Sequence, residues 1–178
     1  ALVVAQDSSK QEGSAKQQYK EKTPTHCDTK PASKPMFVEQ KGTLAGKRSV
    51  QLVVEELHAD AASAFLSRSS LQQRIERQLR AAGITVDKNA NGYLYLNVGT
   101  IANSNRTMFG IVISLSYKQR VLLTGANDGS RYSIATTWEV PYSFASVGRF
   151  RASNYVNETI DRFVGEFVKD FRAANGNK

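Results

Sequence analysis

Hydrophobic and polar positions alternate most regularly over residues 109–144. In the first run every second residue is apolar or aromatic: Phe109, Ile111, Ile113, Leu115 and Tyr117. After the turn-rich stretch TGANDGSR, the second run gives Tyr132, Ile134, Thr136, Trp138, Val140, Tyr142 and Phe144. Alternation of this length predicts an antiparallel hairpin with one covered and one wetter face. On this phase Trp138 belongs to the covered face, together with Ile134 and Val140. Two shorter strands precede the hairpin. Val50, Leu52, Val53 and Val54 are apolar on both sides, which suits an interior strand. Residues 93–101 place Leu94, Leu96 and Val98 on one face and Tyr93, Tyr95, Asn97 and Gly99 on the other.

In two places the period becomes that of a helix. Leu71, Ile75, Leu79 and Ala82 form one stripe at helical spacing. Ser69 with Gln72, or Ser70 with Gln73, has the spacing of a capping box, and Gly83 followed by Ile84 suits a Schellman ending. A last helix, capped by Ser153 or Asn154 and closed by Asn175 and Gly176, aligns Val156, Ile160, Phe163, Phe167 and Phe171. Between the first strand and the first helix, residues 59–67 read as a connector whose helical turn buries Phe65 and Leu66. The predicted architecture is α+β: a two-layer sandwich in the order β-α-β-β-β-α. Its sheet is four-stranded and mostly antiparallel, with two helices on one face. If the first two strands lie parallel, their crossover is right-handed.

Residues 7–48 show no hydrophobic period, hold three of the four prolines and interleave lysines with acids. Such a composition cannot bury enough apolar surface to offset its ordering entropy. Residues 1–48 are therefore expected to form a flexible arm and residues 49–178 a single α/β domain. Within the arm, Met36, Phe37 and Val38 are a candidate patch for docking on the domain or on a partner. The run Gly42-Thr-Leu-Ala-Gly46-Lys47-Arg48 is one residue short of a phosphate loop. It also places Arg48 where the metal-binding Ser or Thr belongs, so that reading is set aside.

Charge adds a constraint on partners. Lys and Arg outnumber Asp and Glu by 24 to 16, a formal net charge of +8, which admits acidic proteins, nucleic acid or anionic lipid. Cys27 is the single cysteine, so no intramolecular disulfide forms. With only two histidines the chain also lacks the donors of a structural zinc site, and neither a metal nor a cofactor is expected. No run approaches the roughly 20 apolar residues of a transmembrane helix. The opening Ala1-Leu2-Val3-Val4-Ala5 resembles the end of a secretory signal, which predicts an exported protein. Cys27 follows a polar stretch and does not look like a lipoprotein acylation site.

The run Leu79-Arg-Ala-Ala-Gly83-Ile-Thr-Val86 joins a Gly-capped helix to a hydrophobic entry, and Tyr93-Leu-Tyr-Leu-Asn-Val-Gly99-Thr-Ile101 follows it. Thr137-Trp138 and Phe163-Val-Gly-Glu-Phe167 come later. This series resembles the periplasmic α/β domain shared by the curli secretion channel lipoprotein and the penicillin-binding-protein activator lipoproteins, and related envelope proteins. The likeness covers residues 49–175. It implies a bacterial periplasmic or secreted interaction domain. Its motif residues are a helix cap, a strand glycine and core positions, so it carries over no functional residue.

The reading that follows is a non-catalytic envelope module that docks on a protein partner, as a monomer or weak homo-oligomer. The partner-binding candidates are Tyr93, Tyr95, Lys118, Arg120 and Arg131, with Ser114 and Ser116 on the same sheet face. The first alternative is a single-stranded nucleic-acid module. It would stack bases on Tyr93, Tyr95, Tyr117 and Tyr132 and meet phosphates with Arg106, Lys118, Arg120 and Arg131. The second is an enzyme, for which the candidates His58, Glu55, Glu56, Asp128 and Glu139 fall on separate strands and turns with no recognisable spacing.

Overall fold

The computed structural model describes residues 39–123 and 131–176. The expectations for Cys27, for residues 36–38 and for Asp128 lie outside these residues. So does most of the proposed arm. Its last part is described: Gln40–Leu44 form a 3-10 turn whose Leu44 is buried in the core. Thr43 Oγ1 and the Gln40 side chain tie this turn to Thr137 and Glu139 of the hairpin.

Strand β1 (Ser49–Val54) leads through a four-residue helix, α1 (Asp60–Ser63), into α2 (Arg68–Ala81). Then come the two-residue β2 (Thr85–Val86), β3 (Gly92–Ala102), β4 (Met108–Leu123), β5 (Arg131–Glu139), β6 (Ser143–Gly148) and α3 (Arg149–Asn175). The sheet order is β2-β1-β3-β4-β5, with β6 beside the other half of β4. Strand β1 is interior, as its apolar faces require, and pairs parallel with both β2 and β3. From β3 onward the pairing is antiparallel.

The expected four-stranded, mostly antiparallel sheet with two helices is therefore corrected. Among the described residues the sheet is mixed and six-stranded, parallel at one end, and there are three α-helices. Two causes are local. Thr85 and Val86 add an edge strand too short to show a period. Pro141, which has no N–H to donate, splits the second long run into β5 and β6, which follow each other along β4.

The long helices lie where their stripes dictate. Helix α2 buries Leu71, Ile75 and Leu79 and packs on β1 and β2, while α3 buries Val156, Ile160, Phe163, Phe167 and Phe171 and packs on β4 and β6. Ser67, rather than Ser69 or Ser70, caps α2 by accepting the Ser70 N–H. Gly83, at φ 80°, ends it, and the Ile84 N–H donates to Leu79 O at 2.9 Å, which completes the Schellman motif. Helix α3 begins at Arg149, one turn before the expected cap. Between the helices, Arg74 Nε and Nη2 donate to the two Asp161 carboxylate oxygens at 2.7 and 2.5 Å, and Gln78 joins them.

The core centres on Phe167. Trp138 meets it edge-on at 5.0 Å, Phe171 lies at 5.7 Å and Tyr117 at 6.0 Å. Trp138 Nε1 donates to Asp170 at 2.9 Å, which joins β5 to α3. Burial pushes the Tyr117 phenol above its ordinary pKa. Gly92 passes under this ring, and a Cβ there would overlap the Tyr117 hydroxyl.

Candidate functional site

Residues paired across adjacent strands share a face of the sheet. The face away from the helices therefore holds Gln51 and Val53, then Tyr93, Tyr95 and Asn97, then Ser114, Ser116, Lys118 and Arg120. Lys118 Nζ lies 3.9 Å from the Tyr95 ring centroid, and the Tyr95 hydroxyl donates to Glu55. Tyr93 meets Tyr95 edge-on at 6.4 Å. The structure thus brings four of the candidates, Tyr93, Tyr95, Lys118 and Arg120, onto one surface.

A bulge decides what joins them. Tyr117 pairs with Trp138, but Lys118 pairs with Thr136, so Thr137 is an extra residue on β5. One inserted residue exchanges the faces of everything beyond it. Trp138 keeps to the core, whereas Ile134 and Tyr132 turn to the open face, 56% and 60% exposed. This corrects the expected phase, in which Ile134 shared the covered side with Trp138. The Arg120 guanidinium then stacks on Tyr132 at 4.7 Å. The same register puts Arg131 opposite Leu123, on the other side of the sheet from Lys118 and Arg120. In β6, Phe144 pairs with Val112 and points outward, also against the expected phase.

Lys47, Tyr93, Lys118, Arg120 and Ile134 line a cleft of about 440 Å³ at this end of the face. Among the described residues no carboxylate pairs with Lys47, Lys118 or Arg120. The cleft is a cationic surface with aromatic walls. Of the rings proposed for stacking bases, Tyr117 is in the core, and Tyr95 and Tyr132 already carry a cation on one face. Arg106 is remote, in the turn between β3 and β4.

The described enzyme candidates have structural partners. Glu55 accepts from Tyr95, Glu56 pairs with Arg68 at 3.2 Å, and His58 Nδ1 accepts the Asp60 N–H at 3.3 Å. Glu139 is exposed on β5, and its backbone N–H donates to Gln40. Among the described residues no cluster of His, Cys, Asp and Glu could hold a metal ion. No described helix is long and apolar enough to cross a membrane.

The alternation places Tyr132, Ile134 and Phe144 on the covered side, because it gives a period but not a bulge, and only the nucleic-acid alternative sets Tyr132 on the surface. Pro141 was the one visible warning in that run. No protein-family model matches the chain, and no curated protein does. Among solved structures the chain is similar to a minor lipoprotein from Acinetobacter baumannii. The identity is 11% and the TM-score 0.25, covering 71% of this chain and 92% of that one. A likeness at this level carries no argument about fold or function.

Proposed function

We propose that the protein is a non-catalytic interaction module of the bacterial envelope, which docks a protein partner on its open sheet face. The observation that carries this reading is the surface at Tyr93, Lys118, Arg120, Tyr132 and Ile134. Tyr132 and Ile134 are exposed there and Tyr93 is half-buried, beside cations that have no carboxylate partner among the described residues. Tyrosine and arginine at the centre of a surface are the side chains that dominate protein interfaces. Because Lys118 and Arg120 each cover a ring, the surface suits a side-chain partner with carboxylates better than a stack of bases. The periplasmic setting rests on the sequence resemblance over residues 49–175.

The test is crosslinking in cell-envelope extracts with the full chain and with a Lys118→Glu/Arg120→Glu double variant. The wild type is expected to trap a discrete protein band that the variant loses at unchanged melting temperature. Identical bands from both proteins would remove the open face from the proposal. Recovery of the protein only from cytosol would remove the envelope.

A further inference from the structure

Two non-glycine residues among those described have a left-handed backbone, Phe65 at φ 58° and Arg106 at φ 54°. Both lie at the end of the molecule remote from Lys118 and Arg120. At Phe65 the cause is explicit. Helix α1 ends in a Schellman motif, with the Leu66 N–H donating to Ala61 O at 3.0 Å and the Phe65 N–H to Ala62 O at 3.1 Å. Phe65 holds the left-handed position that glycine normally takes, as Gly83 does at the end of α2. The expected burial of Phe65 is thereby corrected. Leu66 goes into the core, and Phe65 is turned outward, 62% exposed.

Its neighbours are of one kind. The Arg149 guanidinium lies over the Phe65 ring at 5.2 Å and donates to Ser63 O at 3.1 Å. Phe150, the next residue, is 84% exposed, and Met108, paired with Gly148, is exposed as well. Arg149, Phe150 and Arg151 line a shallow hollow of about 330 Å³. The carboxylates at this end are matched, Glu56 by Arg68 at 3.2 Å and Asp60 by Arg106 at 3.9 Å. Among the described residues none pairs with Arg149 or Arg151.

We propose that this end of the molecule rests on an anionic bilayer surface. Phe65 and Phe150 enter the boundary between headgroups and acyl chains, and Arg149 and Arg151 meet lipid phosphates. The two phenylalanines stand out beside guanidinium groups, and neither ring has a polar edge for a protein partner to hydrogen-bond. Protruding apolar tips set among unmatched cations are what a charged, deformable surface accommodates. A phenylalanine held where glycine would cost less is explained if the exposed ring is what the position is for.

The experiment is sedimentation of the full chain with vesicles of phosphatidylglycerol and, separately, of phosphatidylcholine. Binding is expected only to the former, falling about fivefold for each arginine in Arg149→Gln and Arg151→Gln and weakening with salt. Phe65→Gly is the decisive variant, because relief of the backbone should leave it melting no lower than wild type while vesicle binding drops. A Phe150→Trp variant adds a direct readout, since its fluorescence should be quenched by brominated acyl chains. No sedimentation with phosphatidylglycerol, or unchanged binding by Phe65→Gly together with Phe150→Ser, overturns the proposal. So does a concentration-dependent dimer that these substitutions abolish, which would assign the patch to a second copy.

Discussion

Tyr117 has a buried ring and a hydroxyl that makes no hydrogen bond among the described residues. A polar group left in that state costs its desolvation, while the ring supplies the packing against Phe167. Tyr117→Phe is therefore expected to leave unfolding free energy unchanged or raise it by about 1 kcal/mol. Urea denaturation decides this, and a large loss would show that the hydroxyl has a partner. Gly92→Ala should act the opposite way, because its Cβ would need the space that the hydroxyl fills. A loss of roughly 1–3 kcal/mol is expected there, typical of overpacking. Phe65→Gly, read for stability alone, should gain on the order of 1 kcal/mol by replacing a left-handed phenylalanine.

Arg74 and Asp161 show what couples one element to another. The Arg74 hydrogen bonds hold the Asp161 carboxyl below its ordinary pKa, and those from Gln78 add to this. A group with a lowered folded pKa stabilises the fold above its unfolded value, and the contribution is lost as pH falls through the folded one. Both side chains are about a third exposed, 33% and 39%, so the pair ranks nearer to a surface bridge than a buried one. Arg74→Gln is expected to cost about 1 kcal/mol at neutral pH. That difference should shrink as pH falls through the ordinary carboxylate range and vanish only below the lowered folded value, where Asp161 is protonated in both states. Equal losses at neutral pH and below that value would mean that Arg74 acts by packing alone.

The same scale explains what could be read in advance. The stripes of α2 and α3, the Schellman ending at Gly83 and the interior character of β1 each depend on residues within one element, and all were legible. Strand β2 was not, since two residues cannot show a period. The face of Tyr132 and Ile134 was not either. Thr136 and Thr137 fit both phases of a strand, so nothing marks which is the extra residue. Tyr93, Tyr95, Lys118 and Arg120 could be grouped because β3 and β4 pair without interruption up to that row. Deleting Thr137 would restore strict alternation and carry Tyr132 away from Arg120. A stability loss of roughly 2 kcal/mol or more is expected, with loss of the surface to which a partner is proposed to bind.

At the scale of the whole molecule, the two surfaces occupy opposite ends of the sheet. Tyr93 and Ala102 bracket strand β3, and at strand rise they are about 30 Å apart, well beyond the roughly 8–10 Å over which exposed charges act in salt. Sites that far apart with no shared side chains contribute independently. Lys118→Glu/Arg120→Glu should therefore abolish capture of the protein partner and leave sedimentation with phosphatidylglycerol vesicles near the wild-type level. Phe65→Gly with Phe150→Ser should do the reverse. The competing view is that the formal charge of +8 acts as one diffuse field, with neither surface specific. Under that view any two charge reversals weaken vesicle binding alike, and the phenylalanine variants change nothing. Measuring both activities on both double variants separates the two accounts. If Lys118→Glu/Arg120→Glu lowers vesicle binding as far as Arg149→Gln with Arg151→Gln does, the bilayer contact belongs to the net charge and not to the end of the molecule that carries Phe65.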